Sequence, residues 1–346
     1  MNFGIIGTGL IADFHARAIN EIPGCKVVAC VDVVPERAQA FASKYGCTAY
    51  SELPKFLRHP NLEIVTVCTP SGTHMEASVE AARAGKHLIV EKPIEITLKR
   101  IDAIIEACEK NGVTLSGIFM SRYYEGAKLL KQAVEDGRFG RLTLGSAYIK
   151  WWRSQEYYDK GGWKGTKRYD GGGALMNQGI HAVDLLQWFM GPVDSVVAYC
   201  ATLGHERIEV EDTAVAALRF RNGALGVIEG STAAYPGFLK RIEICGVGGS
   251  VILEEESFKC WQFASEREED HSIRERLSPK ASSGGGASDP QAIGYLGHKL
   301  QFEDVVNSIR QGKRPSVDGQ EARKAVEIIL AIYQSAESGK EVKLPL

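Results

Sequence analysis

Apolar residues in the first third of the chain fall in short unbroken runs, each followed by a stretch of helical character. Runs at residues 2–6, 25–31, 63–68, 88–90 and 113–119 carry little polar alternation, the pattern of parallel strands buried on both faces. Residues 47–50 fit a brief edge strand. Between the runs lie amphipathic segments: one from the first glycines through Ile19, one over 35–45 opened by Pro35 and ended by Gly46, one over 75–84 ended by Gly85, and one over 98–110. This alternation predicts an α/β Rossmann domain, a doubly wound parallel sheet over residues 1–120.

Beyond a further helix at 125–135 the period changes. Strands are expected at 142–152, 194–203, 213–220, 224–233, 238–245 and 250–253, with little helix between them, and Asn222-Gly223 signals a type I′ hairpin. The pattern predicts an α+β domain over 121–346 built on a largely antiparallel open sheet. Helices should cover one face, and the other exposes enough apolar area to expect a second copy of the chain against it, as a dimer or tetramer. Residues 265–290 are polar and rich in Ser and Gly, the composition of a mobile loop. Two helices, about 295–310 and 321–337, close the chain.

Composition narrows the function classes. A chain of 346 residues has room for two cores. A net charge of −2 provides no basic field for nucleic acid or an anionic membrane. The eight cysteines form no C-x-x-C pair and read as small buried hydrophobes in a reducing compartment, with no metal site. No signal segment precedes the first strand and no apolar run reaches membrane-span length, so a cytoplasmic protein acting on a small molecule is expected.

Candidate chemistry begins at Gly7-Thr8-Gly9-Leu10-Ile11-Ala12, a G-x-G-x-x-A between strand and helix. There Gly7 makes the turn, Gly9 admits a pyrophosphate and Ala12 lets the helix pack closely. Asp32 ends the second strand, where an acid binds ribose hydroxyls and repels a 2′-phosphate. NAD is therefore preferred, while Arg37 leaves NADP open. Thr69, Pro70, Ser71 and His74 surround a helix start whose hydroxyls and amides can hold cofactor phosphate or ribose, with an ordinary Thr73 cap as the alternative. Glu91-Lys92-Pro93 follows the strand 88–90 and should emerge with it at the ligand-binding edge of the sheet. In the second domain a triplet, Gly171-Gly172-Gly173, leads into a helix. On it Asn177, His181, Asp184 and Trp188 recur at spacings of four, three and four, a stripe suited to lining a polar pocket.

Taken in order, Gly7-Thr8-Gly9, Glu91-Lys92-Pro93 and the glycine triplet through His181 resemble the Gfo/Idh/MocA oxidoreductase family over nearly the whole chain. The resemblance implies oxidation or reduction of hydroxyl and carbonyl carbons of sugars and polyols, with Lys92 and His181 working beside the nicotinamide. Most members carry Asp four residues before the His. This chain has Asn177 followed by Gln178, as in the branch containing nucleotide-sugar 3-dehydrogenases, and Asn cannot take a proton. A neutral imidazole with pKa near about 6.5 suits His181 as base. Lys92 would stabilise charge developing on the carbinol oxygen, or share the proton. Arg122, Trp163, Arg168 and Tyr235 are candidates for binding substrate hydroxyls or phosphate. Two rivals remain: a lyase or glycosidase that oxidises its sugar transiently with retained NAD, and a non-enzymatic sensor.

Overall fold

The computed structural model describes residues 1–160, 162–279 and 294–346, which divide into two compact units. The first comprises residues 1–120 and 294–324. Its sheet is built from β1 (Asn2–Ile6), β2 (Lys26–Val31), β3 (Thr48–Tyr50), β4 (Ile64–Val67), β5 (His87–Val90) and β6 (Leu115–Gly117), in the order β3-β2-β1-β4-β5-β6 and parallel throughout. Chain order reverses between β1 and β4, which makes the edge beyond their carboxyl ends the topological switch point of the unit. The connecting helices are α1 (Leu10–Asn20), α2 (Pro35–Tyr45), the short α3 (Leu53–Leu57), α4 (His74–Arg83) and α5 (Leu98–Lys110). Pro35 opens α2, and Gly46, at φ 68°, ends it in the left-handed region that a Cβ disfavours. At five residues, α3 is too short to show a helical period in the sequence.

The expected boundary assigned everything after residue 120 to the second domain. The segment 294–324 instead belongs to the first unit. The reason is packing: Phe302, on the helix α6 (Leu296–Gln311), is fully buried and stacks on Phe3 of β1 with ring centroids 6.3 Å apart. It closes a core with Ile5, Ile19, Val305 and Val306. Gln301, one residue earlier, is equally buried, donates to the Gly117 carbonyl at 2.7 Å and accepts from the Phe119 amide at 3.0 Å.

The second unit comprises residues 121–293 and 325–346, of which those named above are described. Its sheet contains β7 (Leu142–Lys150), β8 (Val193–Ala201), β9 (Thr213–Phe220), β10 (Leu225–Ser231), β11 (Arg241–Gly246), β12 (Gly249–Glu254), β13 (Ser257–Phe263) and β14 (Val342–Lys343). They run in the order β13-β12-β11-β7-β10-β9-β8-β14, antiparallel except where β7 meets β10. The strands β13 and β14 were not foreseen. The β9–β10 hairpin is real, but only Gly223 has positive φ, 87°, and its amide bonds the Phe220 carbonyl. A type I turn closed by a left-handed glycine therefore replaces the expected type I′ turn, which requires two such residues. The expected loop over 265–290 is corrected in part. Residues 269–276 form a helix, Glu269–Arg276, over which Asp270 accepts from Arg138 and from the Trp261 indole; residues 280–290 lie outside the described residues.

Replacing Phe302 by Ala should destabilise the protein by about 3–5 kcal/mol, the usual cost of emptying an aromatic site in a core. Urea unfolding provides the measurement, and an unchanged midpoint would show that the returning helix is not integral to the first unit.

Candidate active site

In the first unit the turn after β1 is held against the end of β4. Gly7 has φ 85°, and a Cβ there would lie 2.9 Å from the Cys68 carbonyl oxygen, so only glycine permits the approach. Gly9 and Leu10 are exposed, and a Cβ on Gly9 would meet no protein atom within 4 Å, leaving its main chain open to a phosphate. Asp32 is half-buried and fixed: Oδ2 accepts from the Thr8 amide and hydroxyl, each at 2.9 Å, and Oδ1 accepts from the Val34 amide at 2.9 Å. The carboxylate keeps lone pairs for ribose hydroxyls. Arg37 is exposed on α2. The buried Thr69 hydroxyl at the end of β4 has no hydrogen-bond partner among the described residues. An open glycine main chain, a fixed acid and an orphaned hydroxyl at one switch point fit a dinucleotide.

Four expectations for this edge are corrected. His74 is buried, with Nδ1 3.0 Å from the Pro93 carbonyl and Nε2 2.9 Å from the Thr69 carbonyl, so both ring nitrogens face main chain and not the open edge. The start of α4 does not offer all its amides to phosphate, because the buried Glu95 accepts from the Met75 amide at 3.0 Å. Ser71 is buried, and the Thr73 hydroxyl donates back to the Pro70 carbonyl at 2.7 Å instead of capping the helix. Finally, Glu91 does not emerge at the ligand-binding edge with Lys92. It is 6% exposed and turned inward, its Oε1 lying 2.8 Å from Nε2 of His15 and 3.3 Å from Nε2 of His298, so its side chain is not available to cofactor. Burial alone would raise its pKa, but the two imidazoles outweigh this and hold the carboxyl well below the ordinary range. Lys92 itself is half-buried, precedes a cis peptide to Pro93, and donates its amide to Glu91 Oε2 at 2.9 Å.

In the second unit the glycine triplet leads into a π-helical turn, Ala174–Gly179, and then the helix Ile180–Met190. A turn of this kind is common at functional sites and widens the step between Asn177 and His181. The triplet is anchored by a residue that sequence analysis missed. Glu211 accepts from the amides of Gly173 and Leu175, each at 2.9 Å, and from the Tyr333 hydroxyl at 2.8 Å. Burial pushes its pKa up and these donors only partly offset it. A Cβ on Gly173 would fall 1.9 Å from the Glu211 carbonyl, which explains the glycine. Asn177 donates to the buried Asp170 and accepts from Gln178 Nε2 at 2.8 Å, while Gln178 Oε1 accepts from Arg153 at 2.8 Å. His181 is 8% exposed.

The other half of the expected stripe has a structural role. Asp184 takes two hydrogen bonds from Arg122, at 2.8 and 2.6 Å, both residues being buried, and the guanidinium lies 5.2 Å from the Trp188 ring. Asp184, fully buried in this pair, therefore does not line a polar pocket, and Arg122 is corrected from substrate candidate to buried ion-pair partner. Trp163 is half-buried, and Arg168 is exposed with its guanidinium 5.1 Å from the Tyr169 ring. Tyr235, 76% exposed, stands edge-on to Trp152 at 5.5 Å.

Comparison with known proteins adds to this geometry. Residues 1–119 match an oxidoreductase family with an NAD-binding Rossmann fold, and residues 127–252 match a GFO/IDH/MocA C-terminal domain. The myo-inositol 2-dehydrogenase of Thermotoga maritima is 28% identical over 358 residues, covering 99% of this chain and 98% of its own. A 2,7-anhydro-N-acetylneuraminate hydratase of Mediterraneibacter gnavus is 25% identical over 376 residues, covering 99% and 96%. The WlbA dehydrogenase from Bordetella pertussis, crystallised in complex with NADH and UDP-GlcNAcA, is similar in structure with a TM-score of 0.89 and 36% identity, over 99% of this chain and 97% of that one.

The buried histidine on α1 makes stability depend on pH. Burial lowers the His15 pKa below its ordinary 6.5, against the opposing pull of Glu91. Below about pH 6.5 the unfolded chain then binds the proton that the folded one excludes, so this contribution is present at higher pH and lost as pH falls through 6.5. Unfolding free energy by urea should drop between pH 7.5 and 5.5, and His15→Gln should make that drop smaller. An identical pH dependence in the variant would refute the assignment.

Proposed function

Because the chain belongs to the Gfo/Idh/MocA oxidoreductase family and is an NAD-dependent enzyme, we propose that it moves a hydride to or from a secondary hydroxyl or keto carbon of a nucleotide sugar. The observation that carries the substrate class is the 36% identity, over nearly full length, to a dehydrogenase crystallised with NADH and UDP-GlcNAcA. Asn177-Gln178 ahead of His181 agrees with it. The nicotinamide supplies the hydride acceptor or donor when bound. Asp32 holds the ribose, and the Gly7–Gly9 turn the pyrophosphate. His181 takes the hydroxyl proton as hydride leaves. Lys92 supplies a positive charge that stabilises negative charge developing on the carbinol oxygen. Asn177, its amide held between Asp170 and Gln178, orients a hydroxyl and transfers no proton. Trp163, Arg168 and Tyr235 contribute to substrate binding.

A second reading rests on the relative named as a hydratase, which covers the chain as fully as the dehydrogenases do. Under it, NAD stays bound and the sugar is oxidised only transiently. The eight cysteines, all unpaired, support a cytoplasmic setting. No helix among the described residues is long and apolar enough to cross a membrane.

A second copy of the chain is the partner we assign to the open face of the second sheet. Val197 and Tyr199 of β8 stand beside Ala217 and Val215 of β9, and Leu225 of β10 pairs with Leu144 of β7, all on the uncovered side; Tyr199 is 75% exposed. Tyr199→Lys with Val197→Glu should halve or quarter the mass by light scattering, and a wild-type monomer would remove this partner.

Lys92→Ala and His181→Ala should each lower turnover by about 10²-fold or more with little change in NAD affinity. The assay is NADH absorbance across UDP-sugars, free hexoses, inositols and keto-sugars. Normal turnover in both variants would overturn the assigned roles, and product formed without net NADH would replace the dehydrogenase reading by the transient-oxidation one.

A further inference from the structure

The nucleotide-binding unit contains a buried polar cluster apart from the residues proposed above to hold the cofactor. His15 on α1, Glu91 after β5 and His298 on the returning helix α6 bring Nε2, a carboxylate oxygen and Nε2 within 4.8 Å of one another. Both imidazoles address the same oxygen, Oε1. The other oxygen, Oε2, accepts the Lys92 amide. The surroundings are otherwise mostly apolar. The His15 ring is edge-on to Phe302 at 5.0 Å and 5.1 Å from the His298 ring, while its Nδ1 lies 2.7 Å from the Thr66 hydroxyl and 3.3 Å from the Cys68 thiol. An ionised carboxylate is stable in such a place only if donors replace its water. Two imidazole N–H groups and one main-chain N–H do so.

A metal ion would use the same three atoms, but the distances favour hydrogen bonds. A tetrahedral zinc with ligand bonds of about 2.0–2.2 Å sets its ligand atoms roughly 3.3 Å apart. His15 and Glu91 stand at 2.8 Å, and Oε2 is already committed to main chain.

On the far side of Lys92, His74 Nδ1 meets the Pro93 carbonyl at 3.0 Å. The main chain around the lysine is therefore tied down on both sides by buried groups. We propose that His15 and His298 are positioning residues for Lys92: acting through Glu91, they fix the main chain from which the lysine side chain projects, and touch neither substrate nor nicotinamide. This rests on the role given above to Lys92. A displacement of about 1 Å in a reacting group costs on the order of 10²-fold in rate, so loosening this anchor should be visible in kcat.

The test is a double-mutant cycle at saturating NAD and substrate, with Lys92→Ala measured in the same assay. Glu91→Gln, His15→Ala and His298→Ala should each lower kcat roughly 10- to 100-fold while the NAD dissociation constant stays within about twofold. Adding either His→Ala to Glu91→Gln should cost nothing further, because all three act through one carboxylate. His15→Gln and His298→Gln, which keep an N–H donor, should recover kcat to within about fivefold of wild type. If the alanine variants do not fold, the glutamine variants decide, since Glu91→Gln must be slow and the His→Gln pair fast. Additive losses, or unchanged kcat in every variant while Lys92→Ala is inactive, would overturn the inference and leave the lysine's role standing. Normal turnover in Lys92→Ala would instead remove that role and the inference with it. Stoichiometric zinc in the purified protein, absent from all three alanine-or-glutamine variants, would overturn positioning in favour of a metal centre.

Discussion

A negative charge almost cut off from water governs the nucleotide-binding unit. Glu91 sits at the end of a strand buried on both faces, and its carboxylate is tolerated only because two imidazoles and a main-chain amide surround it. One imidazole comes from the first helix, the other from a helix two hundred residues away in sequence. That requirement, together with the stacking of Phe302 on Phe3, explains why the chain returns to this unit after building most of the second. Packing and electrostatics ask for the same helix at the same place.

The second unit meets a similar problem in a different way. A glycine triplet is conformationally costly and a π-helical turn is rare, yet both precede His181. Glu211 absorbs the orphaned amides of Gly173 and Leu175, and Tyr333 completes its shell. Its pKa is raised where that of Glu91 is lowered, because two main-chain amides and a phenol offset burial less well than two imidazoles do. In each unit, then, a buried carboxylate holds the main chain just ahead of a residue proposed for the chemistry. The ion pair of Arg122 with Asp184 braces the helix that follows.

Much of this was legible from residue order alone. Uninterrupted apolar runs separated by amphipathic segments dictate a parallel sheet, since strands buried on both faces cannot alternate, and Gly7, Gly9 and Asp32 mark its ligand-binding edge by local turn chemistry. Alternation in the second half dictates an open sheet with one face left over. Lys92 and His181 stand out because charge or imidazole follows directly on a strand or lies on a helix entered through glycines.

What tertiary structure decided are the partners. Whether Glu91 faces solvent or core depends on His298, which is remote in sequence, and whether Asp184 lines a pocket depends on Arg122 reaching it from a separate turn. His74 reads as a ligand-binding residue until two carbonyls occupy it. Periodicity is a local property of the chain and so reports which face an element buries. Pairing of buried polar groups is set by chain segments that meet only on folding, and no local pattern encodes it.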